Sequence, residues 1–163
     1  MIPRTVFQEE HEIFRQSVRR FVEQEIVPYH DQWEQDGMVS REVWRAAGEN
    51  GLLCTFVPEE YGGPGGDFLH TAVVSEELAR VDATGPAFGL HSGIVAPYIL
   101  HHGSEAQKKE LLPGLCKGEI IAAVAMTEPG AAKDACSDVV LSQQCHVDKV
   151  TGKIVETSNN KIR

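Results

Sequence analysis

Apolar residues recur at steps of three and four from the start of the chain. Phe7, His11, Phe14, Val18, Phe21, Val22 and Ile26 fall on one stripe, opposite Glu9, Arg15, Arg19 and Glu23. That spacing predicts an amphipathic helix, and Pro28 is expected to end it, having no N–H to continue the ladder. A second helix is expected from Ser40, whose hydroxyl suits the free amide of Glu42 or Val43; it turns Val43, Trp44 and Ala47 inward and stops at Gly48 or Gly51. A short apolar run, Leu52 to Val57, leads to the glycine loop Tyr61-Gly-Gly-Pro-Gly-Gly-Asp67. Asp67 then suits the N-cap of a third helix through about Val81, with Phe68, Ala72 and Leu78 among its buried positions. The stretch Ala87 to His102 is apolar nearly all round, which predicts a helix buried on most sides. Ser104 and Gln107 have capping-box spacing and open a fifth helix that Pro113 and Gly114 should close.

The pattern changes at Glu119. Ile120 to Met126 is a compact run rich in Ile, Val and Ala, too short for an independent helix, and reads as a strand. Glu128-Pro-Gly-Ala131 has type II turn chemistry, with Pro129 fixing φ at the second position and Gly130 supplying positive φ at the third. Val139, Leu141, Gln143, Cys145 and Val147 alternate with other residues as one strand face does. Asp148 to Gly152 reads as a turn, Lys153 to Thr157 as a return strand, and the terminal SNNKIR is polar and carries no core. The fold class is therefore mainly α: a helical bundle over residues 1–118, then the first strands of a β unit over 119–163.

Composition adds mostly exclusions. The 163 residues are 42% hydrophobic and 24% charged, a globular balance, with a net charge of −9. That charge argues against a nucleic-acid partner, since the only basic cluster, Arg15 to Arg20, is interleaved with apolar residues and reads as the solvated face of a helix. No apolar run approaches the roughly 20 residues of a membrane span. The first residues resemble neither a signal core nor an Arg-rich transit segment, so a cytoplasmic location is expected, or the mitochondrial matrix for a processed eukaryotic chain. Cys54, Cys116, Cys136 and Cys145 have no CxxC spacing and read as free, partly buried thiols. No metal site is expected, because the neighbours His101 and His102 point to different sides of a helix. Glu76 and Glu77 likewise face apart and are expected on a solvated surface rather than as an acid–base pair.

Six segments, in order, carry a resemblance. They are Glu59-Glu-Tyr-Gly-Gly-Pro-Gly-Gly-Asp67, Glu76-Glu-Leu-Ala-Arg80, His91-Ser-Gly93, His102-Gly-Ser-Glu-Ala-Gln-Lys-Lys109, Leu112-Pro with Gly118-Glu119, and Ala125-Met-Thr-Glu-Pro-Gly-Ala131. Together they resemble the N-terminal portion of the FAD-dependent acyl-CoA dehydrogenases over roughly residues 5 to 131, and lean toward the long-chain branch. The resemblance implies an oxidoreductase of fatty acid β-oxidation. Its flavin accepts the β hydride of a fatty acyl-CoA while a glutamate takes the α proton, making a trans-2-enoyl thioester. It places Met126, Thr127, Glu128, Pro129 and Gly130 at the flavin, although on its own that turn reads as a hairpin corner about as readily. It also places His91, Gly93, Ile94 and Pro97 along the acyl tunnel, where close helix packing is the competing reading of each residue.

The chain departs from the family after Ala131. Ala132-Lys133-Asp134 stands where the family has Gly-Ser-Asp, the later Trp- or Phe-Ile-Thr motif has no counterpart, and no glutamate maps onto the catalytic base. No catalytic residue is therefore assigned, and FAD binding by this chain alone is expected to be weak. The alternative is a non-catalytic acyl-CoA-binding or assembly module that pairs with itself or with a full-length relative.

Overall fold

The computed structural model describes residues 5–125, 138–142, 145–147, 154–156 and 159–162. Helices dominate the first 116 positions: α1 (Glu9–Phe21), α2 (Val27–Asp36), α3 (Arg41–Glu49), α4 (Phe68–Arg80), α5 (Phe88–Leu90), α6 (Ala96–His102) and α7 (Glu105–Cys116). Two π-helical turns, Val22–Ile26 and His91–Val95, join α1 to α2 and α5 to α6, so the helices stack as five continuous rods. Their inward residues form one core: Val18, Phe21, Val22 and Ile26 from the first rod, Val43, Trp44 and Ala47 from α3, Val73 and Val74 from α4, and Leu111, Leu112 and Leu115 from α7.

Capping chemistry sets three of the starts. Ser40 Oγ accepts the Val43 amide at 3.4 Å. Asp67 accepts the His70 amide at 3.2 Å. Ser104 and Gln107 make both bonds of a capping box.

The two prolines behave differently from expectation. Pro28 does not end the first helix; it lies in the opening turn of α2. The preceding π turn is the reason. The Val27 amide reaches back to the Val22 carbonyl, widening the helix just where the proline ring needs room and where its missing N–H breaks the α pattern. Pro113 and Gly114 do not close α7, which runs on to Cys116 and buries Leu115 and Cys116. The stop is Gly118, whose φ of +67° suits glycine and whose missing side chain lets the turn lie directly on the Trp44 carbonyl of α3.

Beyond Gly118 the backbone becomes extended. β1 (Ile121–Ala125) pairs antiparallel with β2 (Asp138–Ser142), and β2 with β5 (Asn159–Ile162), in the order β1-β2-β5. β3 (Cys145–Val147) and β4 (Ile154–Glu156) form a separate antiparallel pair. The alternating run from Val139 to Val147 is thus divided between two ladders rather than forming one strand. Asn159–Ile162 of the polar terminal stretch pair with β2, because ladder bonds need backbone and not apolar side chains.

Three buried-or-exposed expectations are corrected. Phe68 is 76% exposed, because it occupies the first position of α4, ahead of the turns that meet the core at Val73 and Val74. Glu77, expected in solvent, is 2% exposed. Finally, the Phe88–His102 rod is not buried on most sides: Gly89 and Gly93 face open space, and Ile94 and Tyr98 are about half exposed.

Candidate functional site

The glycine loop folds back on the segment before it. Amides of Gly65 and Gly66 bond the Val57 and Thr55 carbonyls at 2.9 and 2.8 Å, and a Cβ on Gly63 would overlap the Val57 carbonyl. Tyr61 Oη donates to Glu105 Oε2 at 2.8 Å, tying the loop to the start of α7. This bond holds the Tyr61 hydroxyl un-ionised, its pKa pushed up to about 12. Asp67, closing the loop, also accepts from His11 of α1 at 3.2 Å. The two histidines His11 and His70 and the carboxylate of Asp67 converge closely enough to suggest a cation site. The hydrogen bonding argues otherwise. The Gln8 amide donates to His11 Nδ1 at 3.0 Å, so Nε2 carries the proton and has no lone pair for a metal. The cluster is a helix cap joined across to α1.

The rod from Phe88 to His102 has two faces. Inward, His91 is fully buried and its imidazole is used on both sides. The Ala122 amide of β1 donates to Nδ1 at 3.1 Å, so Nε2 bears the proton and donates to the Leu115 carbonyl at 3.2 Å, with Cys54 Sγ 3.7 Å away. Burial pulls its pKa down to about 4, which keeps it neutral. A protonated Nε2 also cannot take a proton from Cys54, so these two do not form a nucleophile–base pair. Next to it Ser92 Oγ accepts the Cys54 amide at 3.0 Å. His91 therefore joins the helical bundle to the first strand.

Outward lie Gly93 and Ile94, with Pro97 half-buried at the boundary and Tyr98 beyond. Of the four residues named for the tunnel, three lie on or beside this open face, and His91 points the other way. Behind the rod, a cavity between Leu52, Thr55, Thr71, Val74, Phe88 and Ser92 has room for about one water, with a volume near 10 Å³. An acyl chain does not fit there. Met126 to Gly130 lie outside the described residues, as does the Ala132-Lys133-Asp134 departure.

Sequence reasoning missed a charged seam between α1 and α4. Glu77 accepts from Arg19 at 2.8 and 2.9 Å, from Arg80 at 3.0 Å and from Arg15 at 3.3 Å; Arg15 also bonds Glu76 at 2.7 Å and lies over the Phe7 ring. The Arg19 and Arg80 bonds outweigh desolvation and, with Arg15, pull the Glu77 pKa down to about 2. The i, i+4 spacing of Arg15 and Arg19 was a signal, since it puts both guanidinium groups on one helix face.

Five helical rods leading through a buried histidine into an antiparallel strand define a helical domain built to carry a β unit. The model of the acyl-CoA dehydrogenase N-terminal domain matches residues 8–119. The chain belongs to the acyl-CoA dehydrogenase family. It is 51% identical over 131 residues to the mitochondrial long-chain specific acyl-CoA dehydrogenase of Rattus norvegicus, a match covering 80% of this chain and 30% of that protein. Among solved structures, an acyl-CoA dehydrogenase from Geobacillus kaustophilus superposes with a TM-score of 0.75 at 43% identity, covering 82% of this chain and 35% of that one. One from Bacillus anthracis, complexed with FAD, gives 0.73 at 37%, covering 82% and 24%. The chain thus spans about a third or less of the length of these relatives. No helix among the described residues is long and apolar enough to cross a membrane.

Proposed function

We propose that this chain supplies the helical half of an acyl-CoA site in a flavin-dependent dehydrogenase. Residues 1–118 form the N-terminal helical domain, and 119–163 open the middle β domain. The observation that carries this reading is the open apolar face of the Phe88–His102 rod. Gly93 and the half-exposed Ile94, with the half-buried Pro97 beside them, form a narrow apolar strip, and a side chain at Gly93 would meet open space. A fatty acyl chain is the occupant the family assignment favours. His91 contributes by position, holding β1, which ends at Ala125, against the rod.

Met126, Thr127, Glu128, Pro129 and Gly130 would hold FAD, with the Thr127 hydroxyl and turn amides toward the isoalloxazine edge. When bound, the flavin supplies hydride acceptance at the β carbon of the thioester. The 163 residues alone contain no glutamate assigned as the α-proton base, and a flavin gripped by one turn lacks most of the burial that holds such a ligand. The chain by itself is therefore inactive and retains little FAD. The location follows the assembled protein: mitochondrial matrix in a eukaryote, cytoplasm in a bacterium.

The test is purification, a visible absorbance spectrum, and a dye-linked assay with a long-chain acyl-CoA. A colourless, inactive chain that still binds the acyl-CoA, and loses that binding in Ile94→Glu, is the expected result. A yellow protein bleached by substrate would overturn the claim of inactivity, and acyl-CoA binding indifferent to Ile94 would overturn the assignment of the face.

A further inference from the structure

The loop that joins α4 to the Phe88–His102 rod, residues 81–87, carries strain near both ends. Asp82 and Ala87 have φ of +56° and +51°. Aspartate tolerates that region better than most residues, but Ala87 gains nothing from its side chain and keeps the conformation only because its surroundings impose it. Backbone bonds pin the ends: the Ala83 amide to the Leu78 carbonyl at 3.0 Å, and the Leu90 and His91 amides to the Ala87 carbonyl at 3.1 and 3.4 Å. The middle is held from another element. The Gly85 amide donates to Nε2 of His30 in α2 at 3.3 Å. A Cβ on Gly85 would sit 3.4 Å from that nitrogen and from the Val39 side chain, so glycine lets the ring lie close against the backbone. To accept this bond Nε2 must be unprotonated, which leaves the ring proton of neutral His30 on Nδ1.

We propose that His30 is a proton-operated latch: with Nε2 bare it holds the 81–87 loop closed, and a proton on Nε2 releases Gly85 and lets the strained turn open. An imidazolium carries a donor on both nitrogens, so the Gly85 N–H then faces a second N–H and the bond cannot form. The carboxylates around the ring favour the same change. Glu34 Oε1 lies 3.9 Å from Nδ1, and the Asp31 carboxylate is within 4.8 Å of the ring; both stand on α2 and attract the charged form. The two segments packed on the ring bring no positive charge: residues 81–87 contain one charged residue, Asp82, and residues 37–40 none. The ring is 12% exposed, so a proton reaches it in the folded chain. His11 and His91 accept amides in the same way on Nδ1, but at 1% and 0% exposed they meet a proton only when the packing around them opens. Linkage fixes the sign: the closed loop lowers the proton affinity of His30, so protonation weakens closure by the same factor. Opening acts on the first turn of the rod, whose Leu90 and His91 amides hang on the Ala87 carbonyl. The latch does not depend on what occupies the open face of that rod.

The test follows the full chain by NMR from about pH 8 down to about pH 5.5, reading the His30 ring, the Gly85 amide and amide hydrogen exchange. At the alkaline end His30 Nε2 should show the nitrogen shift of a bare acceptor. The Gly85 amide should then move with the same midpoint as the ring, and its exchange protection should fall roughly fivefold on the acid side. His30→Gln supplies an amide oxygen that accepts without titrating, so protection at Gly85 should stay high and flat with pH. In His30→Ala it should be low throughout. Glu34→Gln removes the nearest charge that favours the imidazolium, so ring and amide should shift together to lower pH, which a purely structural contact would not show. That variant alters an exposed side chain and decides the matter if the His30 variants do not fold. A Gly85 amide that ignores the ring's titration, a proton on Nε2 at the alkaline end, or a pH response that survives in His30→Gln would each overturn the proposal.

Discussion

Replacing Glu77 by Gln keeps the side chain's shape and removes the charge that three arginines share. In the folded chain its pKa is down to about 2 from 4.5, with Arg19 the leading cause. A depressed carboxylate stabilises the fold fully above its unfolded pKa and loses that contribution as pH falls toward its folded one. At about 1.36 kcal/mol per unit, the shift sets a ceiling of about 3 kcal/mol. Solvent screening lowers it, because the Arg19 and Arg80 side chains are 47% and 38% exposed, leaving about 1–2 kcal/mol. For a chain of this size that lowers the thermal midpoint by roughly 3–8 °C. The assay is thermal unfolding of both proteins from neutral pH down to about pH 3, at low and high salt. The difference should be full at pH 7, start to shrink below pH 4.5, lose roughly half its size by pH 3, and narrow in high salt. An unchanged midpoint at pH 7, or a gap that does not respond to pH, would refute the reasoning.

Four further outcomes follow from the geometry. The His91 pKa is pulled down to about 4 by burial, so stability should decline as pH falls from 6.5 toward 4, where the unfolded chain takes up a proton that the folded one refuses; His91→Gln, followed by urea unfolding, should flatten that decline. His91→Ala should also cost about 2–4 kcal/mol and speed hydrogen exchange at the Ala122 amide, which loses its acceptor. Gly118→Ala should destabilise by more than about 2 kcal/mol, since the new Cβ meets the Trp44 carbonyl; Gly37→Ala, at a similar φ of +66° in open space, should cost about 1 kcal/mol in the same denaturant titration. Ser104→Ala should lose about 1 kcal/mol with the α7 capping box, read from the unfolding midpoint.

The chain itself determined what depends on near neighbours. Periodicity placed Val43, Trp44 and Ala47 inward, and Ser40, Asp67 and Ser104 marked helix starts, because a cap and its amide are only three residues apart. The family was legible for the same reason: its segments are short, local and in order. Tertiary structure decided what needs a distant partner. Pro28 and Pro113 pass inside helices because a widened turn and a buried Leu115 compensate for what proline removes. Glu77 is buried because arginines of another helix reach it, and sequence spacing says nothing of which helices meet. His91 and Ile94 are three residues apart in one apolar run, yet one is fully buried and the other half exposed. Apolarity states that a helix prefers to be covered. Which face is covered depends on what packs against it, and the described chain covers one face of this rod and leaves the other open.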